Sequence, residues 1–323
     1  MLKQILSAAL VAVACAGLAQ AQGNYPTKPI RLLIPYAPGG GTDLVTRPVT
    51  QKLSEVLKQQ ILFDNRGGGF GVIATEVVAR APADGYTLLM GTTAIMTVNP
   101  VLFEKVPFDS VKDFSPITIF ALAPNVLAAS AKFPPRNFQE MIAYAKANPG
   151  KINYASAGSG TSVLYLEMIQ QMAGVKMLFV PYKGTGPTVI ALLAGDVDIT
   201  FGASGVFLPG VKDGRLKLLA AGSLERLPNL PDLPTISETS LPGFEAASWY
   251  GMLAPAGTPR PIVNLLYGEI AKILKSPDVA NRYLADGAFP IGNTPENFAE
   301  RIRNETERWG KVAKAAGMKP QPF

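Results

Sequence analysis

The feature that most restricts the fold is a repeated order: a short apolar run, a stop at glycine or hydroxyl residues, then a stretch with helical spacing. Residues 30–34 lead into Pro35-Tyr36-Ala37-Pro38-Gly39-Gly40-Gly41-Thr42-Asp43, after which Leu53, Val56 and Leu57 recur at helical intervals. Residues 86–90 stop at Gly91-Thr92-Thr93, and residues 152–155 enter Ser156-Ala157-Gly158-Ser159-Gly160-Thr161-Ser162 before a helical stretch over 163–172. The runs 61–64, 177–180, 197–201 and 216–220 continue the series. Short apolar strands alternating with helices predict parallel sheets covered on both faces, an α/β protein.

The helical stretches carry readable faces. Phe138, Met141, Ile142 and Ala145 recur at helical spacing, as do Ile262, Leu265, Leu266, Ile270, Ile273 and Leu274. Near the carboxyl terminus Phe298, Ile302, Trp309 and Val312 form a stripe on a charged helix, with Thr294 as its cap and Pro295 in its first turn. These aromatics read as core. The number of strand units suggests two lobes: 25–122 as the first part of lobe 1, 123–243 as lobe 2, and 244–323 as a return to lobe 1 with the C-terminal helices. The apolar passage 115–128 is the expected outward crossing, and the return is expected around 244–253, after the proline-rich segment 227–234.

At the amino terminus Lys3 precedes the apolar residues 5–19, and Ala19 and Ala21 bracket Gln20, the order of a secretory signal peptide over 1–21 with cleavage after Ala21. The stretch is shorter than the ~20 residues needed to cross a bilayer. The residues before Cys15 only loosely imitate a lipoprotein site, which makes lipidation the lesser alternative. Cleavage removes one Lys from 30 Lys and Arg set against 24 Asp and Glu, lowering the formal charge from +6 to about +5. It also removes the one cysteine. Basic residues are scattered and not interleaved with aromatics, so nucleic-acid binding has no support. A mildly cationic surface would favour the approach of anionic solutes.

The chain has no histidine. Ser-His-Asp and Cys-His catalysis are therefore excluded by inventory, and so are zinc sites built from His or Cys. A Ser-Lys pair, a pair of carboxylates or an oxygen-ligated Mg²⁺ site would survive that filter, but no local motif positions one. No metal site and no cofactor is expected, and a hydrolase with a non-histidine centre stays as the enzymatic alternative.

Function is expected at the glycine-rich loops, because open α/β sheets hold ligands beyond the carboxyl ends of their strands. Gly39, Gly40, Thr42 and Asp43 lead into a helix amino terminus whose exposed N–H groups suit a carboxylate or phosphate. Asp43 reads either as a cap or dipole partner or as an acceptor for a polar ligand group. The second loop places Ser156, Gly160 and Thr161 in a hydroxyl-rich segment that can bind an anion without a fixed countercharge. Thr92 and Thr93 form a third cluster. The 67–71 segment is expected as a turn before a helix over 72–79, and Lys183 as a turn lysine able to steer an anion. Tyr36, Phe70, Tyr182, Phe207 and Trp249 are candidates for the wall of a cleft.

Six segments, in order, resemble the Bug family, the TctC-like periplasmic receptors of tripartite tricarboxylate transport systems. They are the loop Pro35 to Asp43 quoted above, Tyr154-Ala155-Ser156-Ala157-Gly158-Ser159-Gly160-Thr161, Val180-Pro181-Tyr182-Lys183-Gly184, Gly195-Asp196-Val197-Asp198, Leu233-Pro234-Thr235-Ile236-Ser237-Glu238 and Ala254-Pro255-Ala256-Gly257-Thr258-Pro259. The resemblance implies a type II periplasmic-binding-protein fold, two lobes closing over a small organic acid, with Asp198 and Ser204 as further contacts. It also implies a periplasmic, monomeric protein that delivers its solute to a membrane permease, or a sensor that presents its closed form to a signalling receptor. Leu164 stands where many relatives have His, and Phe70 where many have a small residue, which leaves a larger or more apolar ligand open.

Overall fold

The computed structural model describes residues 25–36, 38, 41–157, 161–182 and 185–322. The signal-peptide and lipidation readings, and the candidates Gly39, Gly40, Gly160 and Lys183, lie outside the described residues. In the first lobe, β1 (Ile30–Ile34) lies between β2 (Ile61–Asn65) and β3 (Thr87–Thr92), all parallel. In the second, β5 (Asn153–Ala157) lies parallel between β6 (Leu178–Tyr182) and β7 (Ile199–Ala203). These are the apolar runs expected from sequence; the inner strands β1, β3, β5 and β7 are largely buried, as a sheet covered on both faces requires, whereas the edge strands β2 and β6 are only partly buried, with Leu62 and Leu178 exposed.

The sheets are not purely parallel. β4 (Phe114–Ser130) leaves the first lobe and β9 (Ala247–Pro255) returns to it, so the two run in opposite directions and pair antiparallel from Phe114↔Pro255 to Pro124↔Ala247. Beyond Pro124 the same β4 changes partners and pairs antiparallel with β7 and with β8 (Leu216–Ala221). The strand order is therefore β2-β1-β3-β9-β4-β7-β5-β6, with β8 and the two-residue β10 (Phe289–Pro290) also bonded to β4. A strand that passes between two lobes and one that comes back must be antiparallel neighbours, which short-range pattern cannot reveal. At the changeover Asn125 N donates to Ala246 O at 2.9 Å, Gly222 N to Asn125 O at 2.8 Å, and Ala246 N to Gly222 O at 2.7 Å. Gly222 is required there, since a Cβ would lie 2.8 Å from both Asn125 O and Ala246 Cβ.

Helices cover both faces. α1 (Gly41–Leu57), α2 (Val72–Ala79), α9 (Arg260–Leu274) and α10 (Pro277–Ala285) flank the first lobe. The α-helices between α2 and α9 are the short α3 (Asn99–Leu102), α4 (Phe138–Ala147), α5 (Thr161–Ala173), α6 (Thr185–Ala194), α7 (Ser204–Lys212) and α8 (Ile236–Thr239). Thr294 caps α11 (Pro295–Ala315), accepting from Asn297 N at 3.3 Å.

The C-terminal helix, which its stripe marks as wrapping a domain, packs against both lobes. Its first half buries Phe298 and Ile302 against Leu33, Trp249 and Leu253, while Trp309, Val312 and Ala313 join the second-lobe core with Tyr165 and Ile169. Trp309 stands edge-on to Tyr165 at 5.5 Å, and Gln171 Nε2 donates to Val312 O at 2.8 Å. At 1.5 Å per residue a helix of 21 residues reaches about 30 Å, longer than one lobe's face. Among the described residues no helix is long and apolar enough to cross a membrane.

Candidate functional site

The pairing register brings the loop-bearing strand ends of both lobes to one place. Thr92, at the end of β3, pairs with Tyr250, which pairs with Ala121 of β4, and Ala203, at the end of β7, pairs with Asn125. Ala121 and Asn125 are four steps apart on one strand, about 13 Å at ~3.3 Å per residue. The carboxyl ends of the two parallel triplets thus face each other across the crossing, and the amino termini of α1, α5, α6 and α7 follow them.

On the first-lobe side the candidates are tied to one another. Asp43 is 3% exposed. Its carboxylate accepts from Asn65 Nδ2 at 3.1 Å and from Arg47 Nη2 at 2.9 Å. Asn65 Nδ2 also reaches Tyr36 O at 3.2 Å, and the Tyr36 hydroxyl shares a proton with Thr92 Oγ1 at 2.9 Å. Burial, with Tyr250 alongside, pushes the Tyr36 phenol up to about 12 although the Thr92 bond pulls the other way, so it stays neutral at physiological pH. Thr93 Oγ1 accepts from Trp249 N at 2.8 Å, which ties β3 to the returning strand. Asp43, Thr92 and Thr93 therefore brace the loop, and buried Thr42 stands in the first turn of α1 behind it.

The second-lobe side is more open. Ser156, 1% exposed at the end of β5, has a hydroxyl with no partner among the described residues, which is a costly state for a buried polar atom unless something binds there. Thr161 and buried Ser204 begin α5 and α7. Between these helices lies a cavity of ≈ 210 Å³ bordered by the polar residues Asn125, Ser162, Thr188 and Thr200 and by apolar Val189, Phe201, Val206 and Phe207. A larger hollow of ≈ 480 Å³ runs along α11, but its Arg301 is committed to Glu245 and Glu305. It does not lie at the strand ends.

Asn125, Thr188 and Thr200 were not singled out from sequence, and Ser162 entered only as the last residue of the hydroxyl-rich second loop. Thr200 sits inside an apolar run and Thr188 inside a helix, where nothing local marks them, but Asn125 is a polar interruption of the apolar stretch 117–128 and carries a usable signal. The wall candidates divide. Phe207 is only 1% exposed yet borders the cavity. Tyr182 is half-buried against the second-lobe core at the end of β6. Phe70 is 59% exposed, has φ 52 after the expected glycine turn, and lies tilted against Phe103 with ring centroids 5.0 Å apart.

Two candidates need correction. Trp249 is fully buried, edge-on to Phe298 at 4.9 Å, and donates from Nε1 to Glu305 Oε2 at 2.8 Å; it is core, because its side of β9 faces α11. Asp198 precedes β7 at the end away from the cavity and accepts from Asn153 N at 2.7 Å, pinning β5 to β7. Burial pushes its carboxyl above the usual range against that hydrogen bond. A raised folded-state pKa means the ionised group costs stability above the unfolded pKa and ceases to do so below it. Asp198→Asn, which keeps the accepting oxygen, is therefore expected to be neutral or slightly stabilising at pH 7 and to leave ligand affinity unchanged by calorimetry. A marked loss of affinity would return Asp198 to the site.

The model of the tripartite tricarboxylate transporter family receptor (TctC) matches residues 45–318. A protein of the tcbD-tcbE intergenic region of Pseudomonas sp. (strain P51) is 39% identical over 296 residues, covering 91% of this chain and 88% of its own length. Among solved structures, R. palustris Rpa4515 with adipate is 36% identical with a TM-score of 0.79, covering 92% of this chain and 99% of that one. MatC from Rhodopseudomonas palustris with bound malate is 33% identical with a TM-score of 0.74, over 89% of this chain and 99% of that one.

Proposed function

This chain belongs to the tripartite tricarboxylate transporter receptor family, and we propose that it is a periplasmic receptor that captures a small carboxylate between its lobes and hands it to a membrane permease. The observation that carries this is the convergence of both sets of strand ends, with the helix amino termini behind them, on one crossing where the buried Ser156 hydroxyl has no protein partner among the described residues. Helix amino termini offer unpaired N–H groups and a partial positive charge, which hold a carboxylate without a dedicated Arg or Lys. That suits a receptor, since a bond network without a buried ion pair permits release as well as capture. The family is one of transport receptors and not of enzymes, in keeping with a chain that has no histidine.

The same geometry supplies the motion. The lobes are joined where β4 leaves β9 for β7 and β8 and the chain returns into β9, so a small change of backbone angle at 124–125 and 246–247 swings the loops together. The solute is thereby enclosed by groups that neither lobe presents alone. Calorimetry with a panel of organic acids and neutral sugars tests the proposal: at least one carboxylate is expected to bind with the sugars inert. Sugar binding with no response to any acid would overturn it.

A further inference from the structure

The donor inventory of the second-lobe cavity narrows the ligand class, an inference that rests on the carboxylate reading above. Ser162 Oγ donates to Phe201 O at 3.2 Å, and Thr200 Oγ1 donates to Ala155 O at 2.8 Å. A hydroxyl has one proton to give. With that proton committed to a backbone carbonyl, each oxygen can present only lone pairs to the cavity. An ionised carboxylate also only accepts, so these two oxygens oppose it. No Lys or Arg borders the cavity among the described residues; the other polar groups on its wall, the Asn125 amide and the Thr188 hydroxyl, are uncharged, and the remainder is apolar or glycine. A second carboxylate placed here would lose its hydration without gaining a countercharge.

Size points the same way. The cavity measures ≈ 210 Å³, and an apolar cavity of about 150 Å³ accepts benzene. One six-membered ring fits, with room for a small substituent, against the Phe207 edge and the aliphatic Val189 and Val206. We propose that the ligand is a monocarboxylate whose far end is an uncharged aromatic ring seated in this cavity. Any polar substituent on the ring is a hydrogen-bond donor, such as a hydroxyl directed at the lone pairs of Thr200 and Ser162. The carboxylate stays at the helix amino termini beside Ser156.

Calorimetry of the mature chain with benzoate, 4-hydroxybenzoate, adipate and citrate is the test. The two ring acids are expected to bind at least about tenfold tighter than adipate or citrate. Tighter binding of adipate or citrate, or no binding of either ring acid, overturns the ring inference and leaves the carboxylate receptor standing; the receptor reading itself falls if a neutral sugar binds and no acid of the wider panel does. Val206→Lys, at a position 42% exposed in the first turn of α7, adds a cation to the cavity wall. It is expected to shift preference toward adipate by about tenfold or more. A folded Val206→Lys protein with unchanged preference removes the far end of the ligand from this cavity. Should that variant fail to fold, Thr200→Val carries the same test, because it removes one of the two acceptors and is expected to reduce the advantage of 4-hydroxybenzoate over benzoate, and an undiminished advantage counts against the proposal.

Discussion

Trp249→Ala is expected to destabilise the protein by about 3–5 kcal/mol, the range for deleting a large aromatic from a well-packed core. The indole is fully buried between the sheet and α11, and its loss removes the edge contact to Phe298 together with the Nε1 bond to Glu305. The position also lies where the returning strand leaves the crossing, since Trp249 pairs with Leu122 and its backbone N–H is held by Thr93. Denaturant unfolding followed by circular dichroism measures the loss. Trp249→Phe keeps one aromatic ring but loses the N–H and the second ring of the indole, so a smaller loss of about 1–3 kcal/mol is expected. A loss below about 1 kcal/mol for the alanine variant would show that the indole does not fill this core.

The Trp249→Ala effect has a pH signature. Glu305 is buried, and burial raises its pKa while Arg301, the Trp249 N–H and Arg308 pull it down. Removing the indole donor raises it further. A raised folded-state pKa makes ionised Glu305 a cost above the unfolded pKa of about 4.3, and protonation relieves that cost as pH falls through the folded value. The alanine variant is accordingly expected to be closer to wild type at acidic pH than at pH 8.

Ser162→Asp is expected to weaken carboxylate binding roughly 100-fold while leaving the fold intact. Ser162 is in the first turn of α5 and borders the cavity. An acid in a first turn is favourable to the helix itself, so stability should hold or rise slightly. For a bound carboxylate the added charge is repulsive: two like charges about 6 Å apart at an effective dielectric of about 20 oppose each other by about 3 kcal/mol. The penalty should shrink with added salt to the extent that the site stays open to solvent. Ser162→Ala removes the side-chain bond to Phe201 O without adding charge and should cost affinity only a few-fold. Equal affinity of the aspartate variant and wild type in calorimetry would place the anion elsewhere.

The strands, the helices with clear faces and the glycine loops could be read from sequence because their cause is local. Apolar runs such as 30–34 and 197–201 announce strands by their own composition, the capping group Thr294-Pro295 marks the start of α11, and the lack of histidine removes whole classes of chemistry without any coordinates. The candidate hydroxyls were likewise visible as residue types. What each one does was not, because its hydrogen-bonding partner is distant in sequence: Thr93 is met by Trp249, Thr200 by Ala155, Ser162 by Phe201 and Asp198 by Asn153.

The sequence by itself therefore determined the α/β class, the order of the elements and the composition of the loops, all consequences of periodicity and inventory over a few residues. Only the tertiary structure decided that β4 and β9 run antiparallel through the crossing, that α11 binds both lobes, and that Trp249 belongs to the core. It also decided which hydroxyls keep a proton for a ligand. These depend on which surfaces far apart along the chain come into contact, and burial against a distant partner leaves no mark in the neighbouring residues.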